Sequence, residues 1–143
     1  MKKLLFLLCI ATSAQSVAES NSLTLSQKLA VASFGNGDYP IGSIVEKRAA
    51  SALDNVENLC GEGLKEPLLL SQIGNDLLAK EGFYVTPLEI IETIGTLKRQ
   101  APKDISCKDV LSNYLSTVKM APTPTEALVS VNSLYKILKQ KTK

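Results

Sequence analysis

Apolar residues recur at helical spacing along almost the whole chain. In 105–118 (ISCKDVLSNYLSTV), Val110, Leu111, Tyr114, Leu115 and Val118 mark one buried stripe. Cys107 lies four residues before Leu111 and shares that face. From Ile41 to Cys60 the inward set is Ile41, Val45, Ala49, Ala52, Leu53, Val56, Leu59 and Cys60, with Glu46, Lys47, Asp54 and Glu57 off it. Gly61 then ends the segment, since glycine tolerates the left-handed backbone of a helix terminus. Pro67 opens a third helix, with Leu68, Leu69, Leu70, Ile73, Leu77 and Leu78 facing inward and Gly82 closing it. The weakest pattern is 22–34, where Leu25, Leu29 and Ala32 have helical spacing and Ser22 or Thr24 serves as cap.

Two segments carry the same start signal. Thr86-Pro87-Leu88-Glu89 and Thr123-Pro124-Thr125-Glu126 place threonine at the N-cap, proline in the first helical position and glutamate at N3. The first leads into a helix burying Leu88, Ile91, Ile94 and Leu97, which Ala101-Pro102 stops. The second leads into one burying Ala127, Leu128, Val131, Leu134, Tyr135 and Leu138. Two well-capped helices account for the likeness, as does a duplicated hairpin; two copies fall short of a solenoid. Ser106 and Asp109 give the 105–118 helix a related cap. GNGDYP at 35–40 is a turn; no strand precedes it and no Gly-Lys-Ser/Thr follows, so it is not a phosphate loop. No alternating strand pattern appears. The expectation is an all-α compact bundle of five or six short helices, with short loops making sequential neighbours antiparallel.

The first residues change the picture. Lys2 and Lys3 precede an apolar run at 4–11, and Ser16-Val17-Ala18 supplies the small residues of a cleavage site. Residues 1–18 therefore read as a cleaved signal peptide, with Cys9 lost along with it, and 19–143 as a single helical domain exported to the periplasm. No transmembrane span is expected in that mature chain. An oxidising compartment then favours pairing of the two remaining cysteines, Cys60 and Cys107. The competing readings are two buried thiols or a redox pair, and the spacing lacks the Cys-x-x-Cys turn that activates a thiol.

Charge and composition narrow the function. Of 16 basic residues two are the leader lysines, which leaves 14 against 14 acidic ones. A neutral body argues against nucleic acid as a partner. Charge is uneven, with an acidic cluster at Asp54, Glu57, Glu62 and Glu66 and only lysines (136, 139, 141, 143) after Glu126. Solvated surface and a frayed tail account for both; the alternative for the lysines is approach to an anionic surface, such as a lipid headgroup layer or an acidic partner. The absence of histidine removes the commonest general base and histidine metal sites, and two mature cysteines cannot form a four-thiolate zinc site. No cofactor, metal site or catalytic residue is assigned. Glu89 with Glu92, and Asp54 with Glu57, share helix faces, but glycosidase-type chemistry needs carboxyls across a cleft, to which nothing in the sequence points.

Tyr114 and Tyr135 fall on apolar stripes and belong to the core. Tyr39 and Tyr84 stand in loops, and are the candidates for contact with a partner. Gly95 inside its helix allows close approach of a neighbouring helix or of a ligand, and helix packing is the leading reading. The leading expectation is an exported non-catalytic protein-binding module, of immunity, inhibitor, chaperone or secretion-accessory type, whose partner is another envelope or secreted protein. The alternatives are a carrier of a lipid or small apolar ligand, and a hydrolase using carboxylates alone. Oligomeric state is not read from the sequence.

Overall fold

The computed structural model describes residues 22–61 and 63–141. Residues 1–18, read above as a signal peptide, lie outside the described residues, as do Glu62 and Lys143. Among the described residues there are six helices and no strand: α1 (Leu25–Phe34), α2 (Ile44–Cys60), α3 (Lys65–Lys80), α4 (Pro87–Gln100), α5 (Cys107–Val118) and α6 (Pro124–Lys141).

Caps set most of the starts. Thr24, Thr86 and Ser106 each accept a hydrogen bond from the N3 backbone N–H, and the N3 side chain (Gln27, Glu89, Asp109) accepts one back from the cap. Each reciprocal pair satisfies donors that the first helical turn leaves without partners. At α6 only half of this forms: Glu126 N–H donates to Thr123 Oγ1 at 3.2 Å. Gly61 ends α2 with a positive φ of 70°. Gly82 (φ 84°) turns the chain after α3, where Phe83 N–H reaches back to the Leu78 carbonyl at 2.9 Å.

Helix α4 is the centre of the fold. Its residues Leu88, Ile90, Ile91, Ile94 and Leu97 are fully enclosed, and α1, α2, α3, α5 and α6 all pack on it. Gly95 lets α2 approach closely, as expected: an added Cβ there would meet Asn55 Nδ2 at 2.5 Å and Val56 Cγ2 at 3.4 Å. Ser33 of α1 donates to the Leu29 carbonyl at 2.7 Å and accepts from Leu88 N–H at 2.9 Å, so α1 supplies a partner to the first turn of α4. Tyr114 and Tyr135 are core residues, and Tyr135 Oη accepts from Asn113 Nδ2 at 2.7 Å.

A disulfide joins Cys60, the last residue of α2, to Cys107, the first of α5, with Cα atoms 5.7 Å apart. The closed loop contains α3 and α4 and leaves α6 outside. In the chain-entropy account, closing 47 residues of separation stabilises the fold by about 4 kcal/mol.

Several inward assignments are corrected. Helix α2 begins at Ile44 instead of Ile41, because Ser43 is the residue that caps it, and Ile41 is exposed. Glu46, expected off the buried face, is buried; its Oε1 accepts from Ser26 Oγ at 2.6 Å and its Oε2 from Gly42 N–H at 2.9 Å. In α1 the buried residues are Ser26, Leu29 and Ala30, while Leu25 and Ala32 face out. Helix α3 starts at Lys65, two residues before Pro67, which the first turn tolerates because its N–H groups have no helical partner. Leu69, Ile73 and Leu77 of α3, and Leu134 and Leu138 of α6, are exposed. These helices lie at the periphery, where only a narrow arc meets α4 or α5. Of the sequential neighbours, α1 with α2, α3 with α4, α4 with α5 and α5 with α6 pack together, whereas α2 and α3 share little contact.

Candidate functional site

Two features of the surface differ from an ordinary polar coat. The first is a furrow along the solvent side of α4. Helices α2 and α6 flank α4 without packing extensively on each other, so residues 89, 92, 96 and 99 remain uncovered at one edge of the helix. At 1.5 Å per residue this strip is about 15 Å long. Three cavities follow it. The first, about 410 Å³, is bounded by Tyr84, Glu89, Glu92, Arg48, Tyr114 and Leu128 among others. The second, about 580 Å³, shares Arg48, Glu92 and Thr96 with the first and adds Asn55 and Arg99. The third, about 600 Å³, shares Arg99 and adds Lys98, Lys103, Asp104 and Lys139 over Leu59, Ala101 and Pro102.

The furrow is polarised along its length. At the α4 start, Arg48 Nε and Nη2 donate to Glu92 Oε1 and Oε2, each at 2.6 Å, in a two-pronged pair that keeps Arg48 charged. Glu89 is held by its capping role, with Oε2 accepting from Thr86 N–H at 2.7 Å and Thr86 Oγ1 at 2.9 Å. Burial pushes the Tyr114 hydroxyl above its usual pKa, and the nearby Glu89 charge adds to this. At the other end Arg99 Nη2 donates to Asn55 Oδ1 at 2.6 Å, and Lys139 Nζ to the Arg99 carbonyl at 2.9 Å. Lys98 Nζ donates to the carbonyls of Lys103 and Ile105. Acid near the helix start and base near its end both oppose the α4 macrodipole.

The second feature is an apolar stripe. Leu69, Ile73 and Leu77 follow each other at four-residue spacing on α3 and are all exposed. Leu77 also lines a groove of about 500 Å³ with Leu115 and Met120, and Met120 is 81% exposed. Lys80, Glu81 and Lys119 border that groove, and Lys119 Nζ lies 3.5 Å from Glu81 Oε1.

The two tyrosines singled out from the sequence part company. Tyr84 is 95% exposed at the mouth of the furrow. Tyr39 is half-buried; its ring covers Gly37, where an added Cβ would meet Cζ and Oη at 2.7 Å, and its carbonyl accepts from Gln27 Nε2 at 3.0 Å. Glu89 and Glu92 do border one cavity, each already engaged as described. Asp54 and Glu57 lie exposed on α2. Arg48, Arg99 and Lys103 were not singled out by sequence; the Arg48–Glu92 pair spans 44 positions, and no local pattern announces it. Among the described residues no group of three or more His, Cys, Asp or Glu is placed to hold a metal, and no helix is long and apolar enough to cross a membrane. Comparison with family models, with curated proteins and with solved structures finds no match to this chain.

Proposed function

We propose that this is an exported, non-catalytic binding module whose partner is another secreted or envelope protein, and that the α3 face is its contact surface. The observation that carries the reading is the exposed run Leu69–Ile73–Leu77, continuous through Leu77 with the groove at Leu115 and Met120. Contiguous apolar surface with a charged border is the usual mark of a protein contact. Tyr84 offers a second, aromatic anchor at the furrow mouth. The engagement of Glu89 in a cap and of Glu92 with Arg48 supports the non-catalytic reading, since neither carboxyl is poised as an acid or base. The Cys60–Cys107 bond fits an oxidising compartment.

The test is the double variant Ile73→Glu, Leu77→Glu. Both side chains are exposed, so the denaturation midpoint should stay near that of the parent protein. Crosslinking in the intact envelope should yield a one-to-one adduct with the parent chain and lose it with the variant. An adduct formed equally well by the variant removes α3 as the contact surface.

A further inference from the structure

We propose that the basic cavity at the end of α4 binds an anionic amphiphile, a molecule carrying a phosphate or carboxylate on an apolar body. This goes beyond the α3 contact and uses different residues. The cavity, about 600 Å³, falls within the size range of small-ligand sites. Its floor is apolar, from Leu59, Ala101 and Pro102, while the charged residues on its rim, among the described residues, are Lys98, Arg99, Lys103 and Lys139 with Asp104.

Four cations come to this rim from three parts of the chain: the last turn of α4, the loop after it, and the last turn of α6. Their local excess stands out in a body that is neutral once the leader lysines are set aside. Two of them are fixed in place by backbone carbonyls, Lys98 by those of Lys103 and Ile105, Lys139 by that of Arg99. Arg99 is oriented by Asn55. Held by two carbonyls, the Lys98 ammonium retains its charge and one further N–H donor, and the Arg99 guanidinium oriented by Asn55 retains its remaining N–H groups, so this rim is preorganised to receive an anion. Inorganic anions would use the rim and leave the floor in water. An alkyl group attached to the anion covers Leu59 and Pro102 at the same time, and that complementarity selects an amphiphile over a simple ion.

Such a ligand comes either as a free monomer or as a headgroup in a bilayer. The experiment has an arm for each, using the full chain with its disulfide intact. Isothermal titration with dodecyl phosphate below its micellar concentration, set beside inorganic phosphate and the uncharged dodecyl maltoside, examines the monomer. Sedimentation with phosphatidylglycerol vesicles against phosphatidylcholine vesicles examines the bilayer. The expected result is one-to-one binding of dodecyl phosphate, or retention by phosphatidylglycerol vesicles only, with the first arm assigning a monomer and the second a membrane. Lys103→Glu should weaken whichever binding is seen roughly tenfold, and Asp104→Asn should strengthen it roughly two- to fivefold, as expected for single surface charges beside an anion. Lys103 is exposed and contributes only its carbonyl to the fold, so the variant should unfold at the parent midpoint. Lys136→Glu, on α6 outside the cavity, is the control for overall charge. Failure of both arms overturns the proposal. So does inorganic phosphate or dodecyl maltoside binding as tightly as dodecyl phosphate, or Lys136→Glu having the same effect as Lys103→Glu.

Discussion

Helices α4 and α6 begin with the same Thr-Pro-x-Glu signal and carry similar apolar spacing, yet one is the core of the molecule and the other its margin. In α4 the cap is reciprocal and eight of fourteen residues are buried. In α6 the glutamate side chain does not return to its cap, and only Ala127, Val131 and Tyr135 of eighteen residues are buried. The one buried side-chain oxygen or nitrogen without a hydrogen-bond partner among the described residues, Asn132 Oδ1, is also on α6. The same local instruction thus starts a helix in both places and decides nothing about its surroundings. Those come from the neighbours the rest of the chain provides: α1, α2, α3, α5 and α6 all pack on α4, whereas α6 packs on α4 and α5.

The contrast can be broken most forcefully at the disulfide. Replacing both cysteines with serine should lower stability by about 4 kcal/mol, read from urea unfolding. A loss under about 1 kcal/mol would mean that closing the loop around α3 and α4 adds little to the stability of the fold. Truncating the core side of α4 comes next. Ile94→Ala should destabilise by about 3 kcal/mol, within the usual range for an enclosed aliphatic side chain, whereas Leu134→Ala on α6 should stay within about 0.5 kcal/mol. Equal costs in the two variants would erase the distinction between the helices.

The caps sharpen it further. Thr86→Ala removes the acceptor of a reciprocal pair and should cost about 1–2 kcal/mol, while Thr123→Ala removes a single bond and should cost about 0.5–1 kcal/mol. The same ranking should appear in amide exchange, with α6 opening at lower free energy than α4. Faster exchange in α4 than in α6 would reverse the assignment of centre and margin.

Much of the fold was legible because caps and stops are local. The boxes at Thr86 and Ser106, the stop at Ala101-Pro102 and the disulfide all follow from short-range chemistry or from there being only two cysteines to pair. The stripe of α4 was legible because Glu89, Glu92, Thr96 and Arg99 keep to one edge of the helix and the apolar residues fill a wide arc opposite. What failed was the choice of arc on peripheral helices. Leu68, Leu69 and Leu70 are consecutive, so periodicity cannot say which of them meets a neighbour; only Leu69 is fully turned out. Glu46 offered a signal that went unused: Ser43-Ile44-Val45-Glu46 has the spacing of a capping box. Ser43 does cap, accepting from Glu46 N–H at 3.3 Å, but the glutamate carboxylate turns to Ser26 and Gly42 instead. The furrow was not legible at all. It exists because two helices distant in sequence fail to meet over a third, which no window of residues records.

That diverted carboxylate gives the α1–α2 contact an acid-sensitive component. Hydrogen bonds from Ser26 first, and Gly42 second, hold the Glu46 carboxyl below the usual carboxylate pKa against the opposing effect of burial. A depressed folded-state value means that its contribution is complete above the unfolded value, about 4.5, and is lost as pH falls through the lower folded one. Protonation would cost Glu46 one of its two acceptor roles and loosen α1 from α2, while Cys60–Cys107 still binds α2 to α5. Acid should therefore unfasten the N-terminal end before the rest. Amide exchange in α1 that rises below pH 4.5 ahead of α4 in the parent protein, and loses that pH dependence in Glu46→Gln, is the signature of a molecule that opens from one end.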